Sequence, residues 1–180
     1  MPRFIAFLRG INVGGHRIKM EALRRHFEVL ELENVTTFIA SGNVIFDSPA
    51  TAAALEQRLE KHLATVLGYE TPTLLRTLPE LAAVAAFPAF PKTGADDSLY
   101  VYFLRSAPDA DQQRAIGALT SDVDDFRIHG RELYWRCRGK ISQVSIAWPK
   151  LEKLMKSVAA TSRNLATVRQ LAAQYGAAKT

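Results

Sequence analysis

With 180 residues, the chain is long enough for one ordinary domain or for two small subdomains that share an interface. Apolar residues make up 48% of it and charged residues 23%, which is typical of a globular protein with ample material for a core. The single cysteine, Cys137, excludes an intrachain disulfide and a cysteine-rich zinc site.

The formal charge of +5 is distributed unevenly along the chain. The middle of the chain is acidic, with Asp96, Asp97, Asp109, Asp111, Asp122, Asp124 and Asp125. The region after Gly139 has one acid, Glu152, against Lys140, Lys150, Lys153, Lys156, Arg163, Arg169 and Lys179. A basic C-terminal region suggests an anionic ligand or partner, although mild basicity is also common among soluble proteins.

The N-terminal stretch "MPRFIAFLRG" predicts no signal peptide and no membrane span, because its apolar run before Arg9 is too short for either. We therefore expect a cytoplasmic protein without a membrane partner. The histidines are scattered without metal-ligand spacing, so we predict no metal site; they are His16, His26, His62 and His129. Nothing in the sequence indicates a cofactor or an oligomeric state.

The first half predicts alternating strands and helices. The continuous apolar run "FIAFL" at 4–8 is typical of a central strand buried on both faces. An amphipathic helix follows, since apolar residues recur at helical spacing at Met20, Leu23, Phe27 and Leu30. The remaining predicted elements are strands at 35–39 and 44–46 joined by the tight turn "SGN", a helix from Ser48-Pro49 to Gly68, and a strand at 71–77. The order β-α-β-β-α-β is the split arrangement of a ferredoxin-like sheet.

The second half repeats this pattern. It begins with a strand at 99–104, a helix opened by Pro108, and two strands that flank the turn His129-Gly130. Two C-terminal helices follow from apolar residues at helical spacing: Leu151, Leu154, Met155 and Val158, then Val168, Leu171, Ala172 and Tyr175. The likeness of "FIAFLRG" to "YVYFLRS" indicates an internal duplication of two ferredoxin-like β-α-β-β-α units.

The predicted fold class is therefore α+β, with two subdomains. We divide the chain into a subdomain at 1–78 and a second, with basic C-terminal helices, at 79–180. A short helix near 79–86 and the proline-rich segment "AFPAFPKTGADD" at 86–97 would connect them.

The segment "LRGINVGGHRIKM" at 8–20 is the first candidate site. In the split topology, the third strand lies antiparallel between the first and second, so the loop after the first strand and the "SGN" turn lie at one end of the sheet. Arg9 should then stand next to Asn43. The residues expected to converge there are Arg9, Asn12, Gly14, Gly15, His16, Ser41, Gly42 and Asn43.

These residue types suit an anion. Glycines allow backbone N–H groups to approach a ligand closely, the following helix N-terminus favours negative charge, and arginine binds phosphate or carboxylate bidentately. The structural alternative is that the glycines only supply positive φ angles, Asn12 caps the turn and Arg9 ties strand ends together. The glycine spacing fits neither the Rossmann pattern nor the P-loop.

The chain is similar at these residues to a bacterial family catalogued as domain of unknown function 1697. The resemblance lies in "LRGINVGG" at 8–15, "KM" at 19–20, "SGNV" at 41–44 and "TSRNLATV" at 161–168. Members often carry an aromatic residue after the Arg-Asn pair, where this chain has Leu165. The resemblance implies an α+β fold with two subdomains and brings no established activity.

The last of these blocks is the second candidate site. Thr161 or Ser162 would cap a helix that begins near Arg163, which places an arginine where the helix dipole favours negative charge. One reading is that Arg163 forms a salt bridge with a middle aspartate. The other is that Arg163, Asn164 and Thr167 complete an anion site together with the glycine loop.

Three functions remain open. The first is binding of a small anionic, phosphorylated ligand at the glycine loop, with His16 or Lys19 as the proton carrier if the site is catalytic. The second is nucleic-acid binding by the basic C-terminal region, beside strand aromatics that could stack bases: Tyr100, Tyr102, Phe103, Tyr134 and Trp135. The third is a structural or interaction protein in which these motifs only shape turns.

Overall fold

The computed structural model describes residues 1–139 and 147–176. The chain forms two compact units. The first contains Met1–Ala82 together with the described residues from Leu171 onward, and the second lies within Ala83–Gln170. From the sequence we expected a boundary between residues 78 and 79, with all of 79–180 in the second subdomain. The structure instead assigns the described residues from Leu171 onward to the first unit.

The first unit is a four-stranded antiparallel sheet with two helices in the split order. Its elements are β1 (Arg3–Leu8), α1 (Met20–Glu28), β2 (Glu33–Phe38), β3 (Asn43–Asp47), α2 (Ala52–Leu67) and β4 (Thr73–Thr77). The strand order is β2-β3-β1-β4, and every neighbouring pair is antiparallel. The predicted arrangement, with β3 between the parallel strands β1 and β2, is confirmed.

One face of this sheet packs against α1 and α2. Alternate β1 residues Phe4, Ala6 and Leu8 join Leu23 and Phe27 of α1 in one buried cluster. The two α1 residues stand one helical turn apart and are fully buried, so the helix is held by its apolar stripe. Ile5 and Phe7, which alternate with Phe4, Ala6 and Leu8 along β1, point to the opposite face of the sheet.

Helix α2 begins later than Ser48 and Pro49 predict. Its N-cap is Thr51, whose hydroxyl accepts a hydrogen bond from the Ala54 N–H at 3.4 Å. The Ser48 hydroxyl instead accepts from the Ala50 N–H in the preceding turn. Either hydroxyl can serve as a cap, and the surrounding structure selects the second.

The second unit has the same strand order as the first. The elements after β4 are α3 (Leu78–Ala86), β5 (Ser98–Leu104), α4 (Ala110–Gly117), β6 (Asp124–His129), β7 (Glu132–Cys137), α5 (Trp148–Ser157), β8 (Ala160–Asn164) and α6 (Leu165–Gly176). The sheet runs β6-β7-β5-β8, again antiparallel throughout. The α+β fold of two repeated units is confirmed, and the duplication remains an interpretation of that repeat.

The prediction of a helix beginning near Arg163 is wrong. Ala160–Asn164 form β8, which pairs with β5 along its whole length, from Ala160 opposite Leu104 to Asn164 opposite Tyr100. The sequence "ATSRN" has no alternation of apolar and polar residues by which a strand is recognised. Pairing with β5, a tertiary effect, determines its conformation.

The proline-rich connection and the end of α3 pack on the face of the second sheet that carries Tyr134 and Arg136. Phe87 stacks on His129 with ring centroids 4.2 Å apart, and the Arg136 guanidinium lies 5.2 Å from the centre of the Phe90 ring. The Tyr134 hydroxyl donates to the Val84 carbonyl at 3.1 Å. Two aromatic side chains therefore anchor this segment.

No helix within the described residues combines the length and apolar character needed to cross a bilayer.

Candidate functional site

Two loops meet at one end of the first sheet, as predicted. The Asn12 side-chain amide donates to the Ala40 carbonyl at 3.0 Å, and the Leu8 N–H donates to the Gly42 carbonyl at 2.9 Å. Gly42 has φ +75°, and a Cβ added there would lie 2.9 Å from Cβ of Ile11. Only glycine fits this position without displacement.

The Asn12 side chain stabilises the loop through internal hydrogen bonds. It adopts φ +56°, and its Oδ1 accepts a hydrogen bond from the Ile18 N–H at 2.8 Å. Since its Nδ2 bonds Ala40, both polar ends of this side chain are used inside the protein. The structural alternative therefore describes Asn12 better than a ligand-orienting role does.

The Asn43 side chain is turned inward. It is fully buried, and its amide donates to the Phe38 carbonyl at 3.1 Å and to the Ser41 hydroxyl at 2.9 Å. Its strand partner is Phe7, two residues before Arg9, so Arg9 does not stand directly beside Asn43 as expected. The Arg9 N–H donates to the Pro72 carbonyl at 2.9 Å, on the β4 side of β1 and not on the β3 side.

Gly14 and Gly15 form the open part of the loop. Both have positive φ, +58° and +90°, and both are exposed. A Cβ built on either would meet nothing within 4 Å. Among the described residues, no hydrogen bond is made by either N–H group. Two backbone donors thus face solvent side by side, in a conformation suited to glycine.

Two cationic residues and a stacked histidine lie close to Gly14 and Gly15 along the chain. Arg9 is half-buried at the start of the loop. Lys19 is exposed at the N-cap position of α1, and its side chain makes no hydrogen bond to the described residues. His16 stacks on Tyr69, with ring centroids 3.7 Å apart and planes 25° apart. Burial raises the pKa of Tyr69. No sequence pattern pairs these two rings, because they come from segments far apart in the chain.

The second unit makes the equivalent connection without this loop. Residues 9–19 lead from β1 to α1, whereas residues 105–109, "RSAPD", lead from β5 to α4. The shorter connection has no glycine and ends in a capping box between Asp109 and Gln112. Turning from strand to helix in this topology therefore requires neither the length nor the glycines of 9–19.

The Arg-Asn block lies in the second unit. Arg163 of β8 is buried, and its Nη1 donates to the Thr161 hydroxyl at 3.0 Å and to the Ser162 carbonyl at 2.7 Å. Burial lowers the pKa of Arg163 to about 10. Asn164, and not Thr161 or Ser162, caps the last helix, since its Oδ1 accepts from the Ala166 N–H at 2.8 Å.

Thr167 is half-buried on α6, two residues into the helix that Asn164 caps. A joint anion site of this block with the glycine loop stays a prediction.

The aromatic part of the nucleic-acid hypothesis is wrong for all of its residues except Tyr100, which is half-buried. Four of the five strand aromatics are at most 3% exposed and cannot stack on bases; they are Tyr102, Phe103, Tyr134 and Trp135. The basic part has a clearer basis, because Lys150, Lys153 and Lys156 are exposed along α5. Lys140 and Lys179 lie outside the described residues.

Comparisons with known proteins give a family but no activity. The family described as "Protein of unknown function (DUF1697)" matches residues 1–134. Among solved structures, the chain is similar to the conserved bacterial protein SP0830 from Streptococcus pneumoniae. The two are 26% identical with a TM-score of 0.81, over 98% of this chain and 99% of that one. A search of curated proteins found no match. The chain belongs to the DUF1697 family.

Proposed function

We propose that this member of the DUF1697 family binds a small anionic, phosphorylated ligand at the glycine loop. The N–H groups of Gly14 and Gly15 would donate to the anion, and Arg9 and Lys19 would supply positive charge. Asn12 and Asn43 then act as supports of the loop, since their side chains are used in internal hydrogen bonds.

The difference between the two strand-to-helix connections carries this proposal. A loop that only had to join β1 to α1 would resemble the five residues 105–109. The longer loop instead exposes two adjacent positive-φ glycines with open space around them. Exposed loops on a rigid scaffold are where binding residues concentrate.

An enzymatic use of the site would need a proton carrier. His16 and Lys19 are the candidates, because both are exposed on the loop and both can exchange protons. The stack of His16 on Tyr69 would hold the imidazole in one orientation. Binding is the part of the proposal that can be tested without knowing a reaction.

A thermal-shift titration with inorganic phosphate, pyrophosphate and ribose 5-phosphate tests it. A ligand at about 100 times its Kd stabilises a protein by about 2.7 kcal/mol, which such a titration detects. Lys19→Ala should remove most of the shift, and Lys61→Ala, which deletes another exposed lysine, on α2, should leave it unchanged. Absence of a shift in the unmutated protein, or equal loss in both variants, would refute the proposal.

Nucleic-acid binding by α5 is the second candidate, favoured by the three exposed lysines spaced three residues apart. Three neutralised phosphates would give a slope of log K against log salt concentration of about −2.7 on duplex DNA. Replacing Lys150, Lys153 and Lys156 by alanine should flatten that slope. A phosphate pocket would respond to salt much less. If neither ligand class binds and loop variants only lose stability, the third function remains: a structural or interaction protein.

A further inference from the structure

The first unit also has a pocket at the end of its sheet opposite the glycine loop. Its volume is about 1150 Å³, slightly above the range of about 300–1,000 Å³ typical of small-molecule sites. The lining comes from the beginning of β1 and β2, the end of β3 and β4, the start of α3 and the end of α6. All of these residues belong to the first unit.

The pocket lies on the face of the sheet opposite α1 and α2. Arg3 pairs with Asp47 and Thr36 pairs with Ile45, so these four side chains share one face. Their strand neighbours Phe4 and Phe46 belong to the cluster that packs on α1 and α2, which is the other face. The apolar floor at Ile45 is continued by Leu78 and Pro79, and Tyr175 of α6 completes the wall.

A fixed ion pair stands in this pocket. Nε and Nη2 of Arg3 donate to the two carboxylate oxygens of Asp47 at 2.6 and 2.7 Å. The Asn34 amide donates to the same carboxylate at 2.8 Å. These bonds hold the pKa of Asp47 below its usual value, and the Asp47 carboxylate raises the pKa of Arg3. Both groups therefore stay charged, and the carboxylate is occupied by three donors.

The outer edge of the guanidinium is available to a ligand. Nη1 of Arg3 has no acceptor among the described residues, and 38% of this side chain is exposed. The Tyr175 hydroxyl accepts from the Gln174 amide at 3.2 Å, which leaves its own O–H to donate. Two donors are thus placed beside apolar walls, as in sites that hold a ring and fix its orientation.

An incoming anion would compete with Asp47 for Arg3. Asp47 already accepts from Nε and Nη2 of this guanidinium, so a carboxylate or phosphate bound beside it would lie near a fixed negative charge. A carbonyl oxygen, in contrast, can accept from Arg3 without adding charge.

We propose that this pocket binds an uncharged planar heterocycle, such as a nucleobase or a pyridine carboxamide. Its ring lies against Ile45, Leu78 and Tyr175, and its carbonyl oxygen accepts from Nη1 of Arg3. This site is distinct from the anion site proposed at the glycine loop, and the two make opposite demands on the charge of the ligand.

Calorimetric titration of the full chain with two pairs of probes tests this. Each pair shares a ring and differs by a carboxylate: uracil and orotate, nicotinamide and nicotinate. We expect the uncharged member of at least one pair to bind at least tenfold more tightly than its carboxylate. The proposal is overturned if neither uncharged probe binds at millimolar concentration, or if the carboxylates bind equally well or better.

Variants locate the binding. Thr36→Trp, an exposed position on the edge strand β2, should fill the pocket and abolish binding. Tyr175→Phe should weaken it about five- to tenfold, as expected for one hydrogen bond. Lys61→Ala, which deletes an exposed lysine on α2, should have no effect. If Thr36→Trp does not fold, Tyr175→Phe decides: unchanged affinity in that variant, or loss of binding in Lys61→Ala, would overturn the assignment.

Discussion

The two units share a framework and differ in the connection from the first strand to the first helix. In each, the first strand donates one backbone hydrogen bond to the turn between the second and third strands: Leu8 to Gly42, and Leu104 to Arg131, both at 2.9 Å. In each, the fourth strand carries a buried arginine opposite an apolar residue of the first strand: Arg76 opposite Ile5, and Arg163 opposite Val101.

These arginines also bond alike. Nη1 of Arg76 donates to the Leu75 carbonyl at 2.8 Å, and Nη1 of Arg163 donates to the Ser162 carbonyl at 2.7 Å. The family resemblance singled out Arg163, but its equivalent Arg76 shows that a buried arginine at this position is part of the repeated framework. The glycine loop at 9–19 has no such equivalent. The repeated features describe the fold, and the unrepeated loop is the better functional candidate.

The largest effects should come from the equivalent core positions Phe46 and Trp135, which are both buried in the third strand of their unit. Phe46→Ala should cost about 4 kcal/mol of unfolding free energy, because it leaves a cavity. Trp135→Ala should cost more, since Nε1 also donates to Asp124 at 2.8 Å. Denaturant unfolding measures both. Trp135→Phe removes this hydrogen bond together with part of the ring volume and should cost at least about 1–3 kcal/mol, so a neutral result there would contradict this reading.

A smaller loss of unfolding free energy is expected from alanine substitution of two glycines at the same end of the first sheet, and the loss should differ between them. Gly42→Ala should cost about 3 kcal/mol, because it combines a positive φ with a contact against Ile11. Gly14→Ala should cost about 1 kcal/mol, because it has the positive φ without the contact. Equal costs in chemical unfolding would mean that the two loops are not packed together as described.

The first unit should lose stability as the pH falls through 6.5. His62 lies beside His26, with ring centroids 5.5 Å apart, and its Nε2 is buried without a partner among the described residues. Burial, and then the neighbouring His26, lower the pKa of His62 from 6.5. Above that pH both folded and unfolded states are neutral at this site, and below it the unfolded chain takes up the proton first. Thermal unfolding of His62→Gln should show a weaker pH dependence between pH 7.5 and 5.5, roughly one unit either side of this transition; an unchanged dependence would exclude His62 as its source.

The rate at which Cys137 is alkylated should report whether the second unit is folded. The thiol is buried on β7, and burial followed by the nearby Asp124 raises its pKa to about 11. Because the thiolate is the reactive form, alkylation at neutral pH should be slow in the folded protein and fast after unfolding. Rapid modification of the native protein, with retained structure, would show that this strand opens locally.

Much of the framework followed from local patterns. The continuous apolar run of β1 and the apolar stripe of α1 predicted the first unit, and the likeness of 4–10 to 100–106 predicted its repeat. The convergence of the glycine loop with the turn at 41–43 followed from topology alone. Arg3, Asp47 and Tyr175 were not identified, because nothing in the sequence indicates that residues so far apart line one pocket.

The amino-acid sequence by itself determined the fold class, the order of elements and the end of the sheet at which two loops meet. These depend on periodicity, turn residues and strand direction, which are local properties or follow from them. Only the tertiary structure decided that 160–164 is a strand, that Asn12 and Asn43 face inward, and that His16 stacks on Tyr69. Each of these depends on partners distant in the chain, and a side chain that can form several hydrogen bonds adopts the one its neighbours make available.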